Sequence, residues 1–183
     1  MRALDSARDA EVIDAVLRGD VDSFSLLVER YRDTCTRFAV RMLGDREDAD
    51  DALQSAFIRA FRNLQKCRDR ERFGSWLFQI VVNECRTLGS RRNRRERKLV
   101  RDLNGLTHRA AEPGADSAAL EEIQRALNRL DPSYREAFIL RYVEDMSYQE
   151  MSEITGDGIS ALKMRVMRAC HQLREHLEGV PSD

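Results

Sequence analysis

Prolines are scarce in this 183-residue chain, three in all, glycines number nine, and no CxxC pair links any of its four cysteines. So few helix breakers, set among apolar residues that recur at spacings of three and four, argue against a β-rich fold and predict an all-α protein. Cys35, Cys67, Cys85 and Cys170 are too scattered for a disulfide framework or a zinc site, and three of them fall among helical apolar residues, where they are expected to act as small hydrophobes. A metal or redox site at Cys170, His171 and His176 has no ligand spacing to support it, so neither metal nor cofactor is expected. Apolar runs fall well short of the roughly 20 residues of a membrane span. The opening MRALDSARDAEVIDA lacks the apolar core of a signal peptide, which predicts a cytoplasmic protein without membrane insertion. Walker, HExxH and GxSxG motifs are missing too, and neighbours such as Asp50 and Asp51 point about 100° apart on a helix, so no catalytic residue is expected.

What is present is charge, 34% of residues against 42% hydrophobic, in an amount that suits one or two small globular domains. The formal net charge is only −1, but the charges are segregated along the chain. The densest information lies between Met146 and Leu177. Ser147-Tyr-Gln-Glu150 forms a capping box with Met146 and Met151 as its hydrophobic staple, and Gly156 can end the helix in a left-handed conformation. A second helix is expected from Ser160, stapled by Ile159 and Met164, with Leu162, Val166, Cys170, Leu173 and Leu177 on its buried stripe. Lys163, Met164, Met167, Arg168 and His171 then face outward. Two helices joined by a tight turn form a helix-turn-helix, whose second helix enters the major groove, where Lys163, Arg165 and Arg168 have the chemistry to donate to guanine O6 and N7.

The N-terminal half reads as four helices. A short one carries Val12, Ile13, Val16 and Leu17 and stops at Gly19; a long one runs from Phe24 through Leu27, Val28, Tyr31, Cys35, Phe38 and Met42 to Gly44. Acidic residues from Asp45 to Asp51 suit the positive end of a third helix dipole. That helix should turn Leu53, Phe57, Ala60, Phe61 and Leu64 inward, leaving Asp51, Gln54, Ser55 and Ile58 on other faces, and an outward Ile58 beside Asp51 and Gln54 points to a partner surface. After a loop from Gln65 to Arg72, a fourth helix from about Phe73 packs Leu77, Val81, Cys85 and Leu88, with Trp76, Ile80, Asn83 and Thr87 on a neighbouring stripe. Beyond it Arg86, Arg91, Arg92, Arg94, Arg95, Arg97, Lys98 and Arg101 are opposed by Glu96 alone. A basic surface that also presents an aromatic face and an amide suits an unpaired nucleic-acid strand.

Periodicity dissolves in DLNGLTHRAAEPGADS, residues 102–117, which read as a flexible linker. This divides the chain into an N-terminal domain, 1–101, and a C-terminal domain, 118–183. The latter begins with a helix bearing Leu120, Ile123, Leu127 and Leu130, restarts at Asp131-Pro132, and should tuck Tyr134, Phe138 and Tyr142 beneath the helix-turn-helix.

In that order, the passages GDVDSFSLLVERY, EDADDALQSAFIRAFRNL, FGSWLFQIVVNECRTLGSRRNRR, LDPSYREAFILRYVEDMSYQEMSEITG and ALKMRVMRA resemble the small extracytoplasmic-function (ECF) sigma factors of the bacterial sigma-70 superfamily. The resemblance spans about Val12 to Leu177 apart from the linker. It implies a factor that binds core RNA polymerase, directs it to specific promoters and assists promoter opening, with an anti-sigma factor as a further partner. Asp51 and Gln54 match positions that dock on polymerase, Phe57 the apolar support behind them, and the segment around Arg135 a face used against the polymerase flap. Asn83 matches a position that contacts a flipped base of the minus-ten element, with Trp76, Arg86, Arg91, Arg92, Arg94 and Arg95 as its DNA-binding surroundings. Ser160, Lys163, Met164, Arg165, Met167 and Arg168 fall on the helix that would read the minus-thirty-five element. Ser55, Cys67, Ala161, Met164 and Cys170 depart from common family residues, so promoter preference is this chain's own. The competing expectation is a dimeric helix-turn-helix regulator acting without polymerase, which leaves the basic run after Asn83 without a use.

Overall fold

The computed structural model describes residues 3–102 and 118–178, and within them every regular element is helical. The stretch expected to be a linker lies, from residue 103 to 117, outside the described residues. No described helix is long and apolar enough to cross a membrane.

Helix α1 (Ala3–Leu17) buries Ile13 and Val16 and breaks at Gly19, whose φ of +112° a side chain would resist. Helix α2 (Phe24–Leu43) follows the expected stripe, burying Phe24, Leu27, Cys35, Phe38 and Met42. It ends at Gly44 in the left-handed region, φ +71°, with the glycine N–H donating to Val40 O at 2.8 Å. Helix α3 (Arg46–Arg62) starts where the acidic run indicates: the Asp45 carboxylate caps the Asp48 N–H at 2.9 Å. Its buried face, however, is a stripe of small residues, Ala49, Ala52, Ala56 and Ala60, with Leu53. Phe57 is only half-buried and Phe61 is exposed, its ring meeting Phe24 edge-on at 5.1 Å, so these two cover the rim of the core instead of filling it. The alanines let α3 lie close against α2 and α4, and bulk is supplied from those helices by Phe38 and Phe78, whose rings cross at 4.9 Å.

Two short 3₁₀ turns, Leu64–Lys66 and Arg70–Arg72, lead into α4 (Phe73–Asp102). Phe73, Leu77, Val81 and Cys85 are fully buried, as is Val82 on the adjoining stripe, where Phe78 is buried beside it. Each such apolar side chain contributes roughly 1.5–3 kcal/mol by leaving water.

In the C-terminal half, α5 (Ala118–Arg129) buries Ala126 and Leu127 but leaves Ile123 exposed. Asp131 caps α6 (Pro132–Phe138), with Pro132 in its first turn. The chain then widens into one π-helical turn, Ile139–Val143, which buries Ile139 and Leu140 while rotating Tyr142 out to 58% exposure, against its expected place beneath the next helices. Helix α7 (Tyr148–Thr155) carries the complete Ser147/Glu150 capping box and ends at Gly156, φ +74°. Helix α8 (Ile159–Glu178) begins one residue earlier than Ser160, and Ile159 and Met164 are both exposed. Leu162, Val166 and Leu173 are buried as expected; Cys170 is half-buried, Leu177 is exposed, and Ala169 completes the stripe.

The two helical domains pack on each other: α4 meets α7, and α2 meets α5 and α6. One apolar cluster runs without interruption from Phe38, Phe73 and Val81 to Ile139, Leu140, Met151 and Ile154, while Leu127, Leu130, Ala169 and Leu173 form a smaller one with Tyr134 and Phe138.

Candidate functional site

Three surfaces gather the candidate residues. On α8, Ser160, Lys163, Met164, Met167 and Arg168 are exposed along the outer face. The three candidate cations of this helix, Lys163, Arg165 and Arg168, are each held by a residue from a neighbouring element. Lys163 Nζ sits 5.6 Å from the centre of the Tyr148 ring, and Arg168 donates to Tyr134 Oη at 2.9 Å. Arg165 is half-buried and donates two hydrogen bonds to Asp157, 2.6 and 3.1 Å long. These bonds hold the Asp157 carboxyl below its ordinary pKa and raise that of Arg165. The turn bearing Asp157 is itself fixed, since Ser152 Oγ donates to Asp157 O at 2.7 Å and the Asp157 N–H donates to Thr155 Oγ1 at 3.2 Å. One turn earlier, the Ser147 N–H donates to Glu150 at 2.8 Å and lowers that carboxyl's pKa.

The second surface lies along α4. Asn83 is exposed, and Trp76, two helical turns before it, is half-buried with its ring tilted on Phe73 at 5.8 Å. Arg91, Arg94 and Arg95 are exposed, whereas Arg92 is half-buried and donates to Asp48 at the start of α3, 2.8 Å away. Arg86 is half-buried, with its guanidinium turned toward the other domain. It donates through Nε and Nη2 to the two oxygens of Glu136 on α6, each at 2.6 Å, which raises its pKa further despite the opposing effect of burial. The side chains of residues 96–100 lie outside the described part, as does that of Arg101.

The third surface is the outer face of α3, where Asp51, Gln54 and Ile58 recur at helical spacing, exposed, with Phe57 half-buried beside them. Arg135 stands apart from it. Its guanidinium donates to the carbonyls of Leu127, Asn128 and Met42 at 2.8, 2.8 and 2.7 Å, closing the C-terminal end of α5 and reaching that of α2, and burial lowers its pKa. In this arrangement Arg135 is a clasp between backbone ends. Cys67, in the loop before α4, is also turned inward, and burial pushes its thiol up to about 11; Cys35 and Cys85 are pushed to about 12. The anchoring roles of Tyr134, Tyr148, Glu136 and Asp157 are not legible in the sequence, because the cations they hold are distant along the chain or across a turn.

Residues 27–96 match the family model for sigma-70 region 2, and residues 120–173 that for sigma-70 region 4. Among full-length relatives, the ECF RNA polymerase sigma factor SigW of Bacillus subtilis is 30% identical over 92% of this chain and 96% of its own length. The RNA polymerase sigma factor NccH of Alcaligenes xylosoxydans is 33% identical over 96% of this chain and 97% of its own. Among solved structures, the sigma factor RpoE of Bartonella quintana, crystallised with the anti-sigma factor NepR, superposes with a TM-score of 0.70 at 27% identity, covering 86% of this chain and 98% of that one. CnrH, in complex with the cytosolic domain of CnrY, shares the fold at a TM-score of 0.70 and 24% identity, over 94% of this chain and 99% of that one.

Proposed function

Because this chain belongs to the ECF sigma factors of the sigma-70 family, we propose how its three surfaces divide the work of initiation. The protein binds core RNA polymerase, directs it to specific promoters and assists their opening, and anti-sigma factors are its class of negative partner. A dimeric regulator acting alone is not favoured, since the N-terminal half carries its own region 2 match. The relatives are sigma factors, not enzymes, and we assign this chain no catalytic step.

In our reading, residues 1–101 form the polymerase-docking and minus-ten domain, 118–183 the minus-thirty-five domain, and 102–117 the tether. Asp51, Gln54, Phe57 and Ile58 dock on polymerase; Arg135 joins them only by giving up its carbonyl partners. On the minus-ten element a base leaves the stack at a cost of a few kcal/mol. Trp76 offers an aromatic face, stacking returns roughly 1–3 kcal/mol per base, and Asn83 presents both a donor and an acceptor to a base edge. Arg86, Arg91, Arg92, Arg94 and Arg95 meet phosphates, so affinity falls steeply with salt. Ser160, Lys163, Met164, Arg165, Met167 and Arg168 enter the major groove of the minus-thirty-five element. The observation that carries this reading is the exposed Asn83, followed about two turns later by the exposed Arg91, Arg94 and Arg95, on the helix that the region 2 match covers.

Transcription by purified core polymerase on a library of promoter fragments, with and without this protein, tests it. Start sites that appear only when the protein is added are expected; identical transcripts in both reactions would refute it.

A further inference from the structure

The face that α8 offers to a duplex is apolar at its middle. The buried Leu162, Val166, Ala169 and Leu173 share one side of the helix. At about 100° per residue, the direction opposite them falls almost on Met164, with Met167 and Arg168 about 50° to either side of it. Met164 is 46% exposed and Met167 58%, both in the N-terminal half of the helix, where a helix-turn-helix meets base edges. Lys163 and Arg165 stand about a quarter turn or more from that direction, and both are engaged from behind. Lys163 lies over the Tyr148 ring, and Arg165 donates twice to Asp157. Arg168 is drawn to its own side by Tyr134 Oη. Cations therefore rim the reading face, while its middle carries two thioethers, which accept hydrogen bonds only weakly and donate none.

Such a middle cannot sort bases by their donors and acceptors. In the major groove the one apolar mark on a base edge is the C5-methyl group of thymine. We propose that Met164 and Met167 are specificity-determining residues that read thymine methyl groups in the minus-thirty-five element. This rests on the sigma-factor reading and adds to it the base chemistry that the recognition helix selects. Three residues advance a helix by about 4.5 Å along its axis, against about 3.4 Å per base pair of duplex, so the two methionines reach neighbouring pairs. A thioether chain with three rotatable bonds can follow a methyl group as the helix settles in the groove, and their contact removes apolar surface on both partners from water. Ser160, exposed one turn before Met164, and His171, exposed two turns after it, place hydrogen-bonding groups at the two ends of the same line. The face is thus polar at its ends, cationic along its edges and apolar between them. It selects an element with two successive thymine-bearing pairs under the middle of α8.

The test uses holoenzyme, the full-length chain on core polymerase, and a promoter recovered from the fragment library. Each thymine of its minus-thirty-five element, on either strand, is replaced in turn by deoxyuridine, which keeps the base pairing and removes only the methyl group. Wild-type holoenzyme should bind about fourfold more weakly at two neighbouring positions, the effect of about one buried methyl group at each, and change little elsewhere. Met164→Ala should weaken binding to the thymine duplex and become indifferent to uracil at one of those positions, and Met167→Ala at the other, a coupling that double-mutant cycles isolate. Both side chains are exposed, so the variants should melt with wild type; a general loss of structure would weaken thymine and uracil duplexes alike. An element without thymine on either strand, uracil swaps that wild type ignores, or equal sensitivity in wild type and both variants would overturn the inference. Methionines that dock a protein instead of DNA would give the second of these results. Start sites that depend on the protein but ignore uracil remove only the methionine reading, while the absence of any protein-dependent start site removes the sigma-factor reading beneath it.

Discussion

Tyr134 on α6 accepts a 2.9 Å hydrogen bond from Nη1 of Arg168 on α8, so a candidate base-reading cation is aimed from behind by a residue that need not touch DNA. Tyr134→Phe removes only the hydroxyl. Because Arg168 is exposed, the fold should lose well under about 1 kcal/mol, while holoenzyme binding to the minus-thirty-five element weakens roughly two- to fivefold as the guanidinium loses its preferred direction. Arg168→Ala should cost more, about 1–3 kcal/mol, and relax discrimination at one base pair. Competition binding of holoenzyme on single-substituted promoters measures both; equal losses on all sequences for Arg168→Ala would mean a phosphate contact instead.

Asn83 makes the sharpest separation between steps. Its side chain is exposed on α4, away from the α3 face of Asp51, Gln54 and Ile58, so Asn83→Ala should leave core polymerase binding within about twofold and the fold intact. Open-complex formation should fall by tenfold or more, the loss of about 1.4 kcal/mol or more of base contact. Permanganate footprinting of the melted strand, run beside a polymerase pull-down, reads the two steps independently. Wild-type footprints from the variant would remove Asn83 from the minus-ten assignment.

Local signals wrote much of this architecture into the sequence. The Ser147/Glu150 capping box, the acidic start of α3, the restart at Asp131-Pro132 and the glycine ends at Gly44 and Gly156 all depend on residues within a few positions of each other, and each occurs where the pattern put it; that Asp45 and Asp131 cap their helices through their side chains is seen only in the structure. What periodicity missed is which neighbour lies across a face. The stripe on α3 was expected to bury Phe57 and Phe61, but α2 and α4 already supply aromatic bulk, so alanines are buried there and the rings fall at the rim. Tyr142 follows a spacing of four that a π turn breaks, and Ile123 lies on the outer side of α5. The candidate cations were legible as a set, but the fates of Arg86 and Arg135 were not. A hydrogen bond to Glu136, fifty residues away, or to Met42 O, ninety-three away, leaves no periodic trace.

Gly44 and Gly156 allow a controlled measurement of the domain contact. Both end helices at φ near +70°, where a β-carbon costs roughly 1–2 kcal/mol. A β-carbon on Gly156 would meet nothing within 4 Å, whereas on Gly44 it would stand 2.5 Å from Asn128 Oδ1 of the other domain. Asn128 must then swing away and give up the 3.0 Å hydrogen bond it accepts from Gln124. Gly44→Ala should therefore destabilise by about 1 kcal/mol more than Gly156→Ala in urea titrations. Adding Asn128→Ala should recover part of that difference in a double-mutant cycle. Strict additivity would show that the two domains do not meet there in solution.

Two carboxylates respond to acid in opposite senses. Arg165 first, and Arg86 behind it, hold the Asp157 pKa below its ordinary 3.8, so the stability this group supplies is complete above that value and is lost as pH falls through the depressed folded pKa. Glu144, on the turn before α7, has its pKa raised from 4.5 because desolvation outweighs the attraction of Arg41 and Arg37. Its ionised form therefore disfavours folding at neutral pH, and that penalty disappears as pH falls from the raised value through 4.5. Asp157→Asn should lower the melting temperature at pH 7 by roughly 2–6 °C, from the loss of about 1–2 kcal/mol in a charge-assisted pair, with the gap to wild type closing only below about pH 4. Glu144→Gln should do the reverse, raising the melting temperature at pH 7 and giving no gain near pH 4. Melting curves of both variants across that interval check the signs; a stabilising effect of Glu144→Gln that persists undiminished in acid would show that packing, not ionisation, sets the cost at this position.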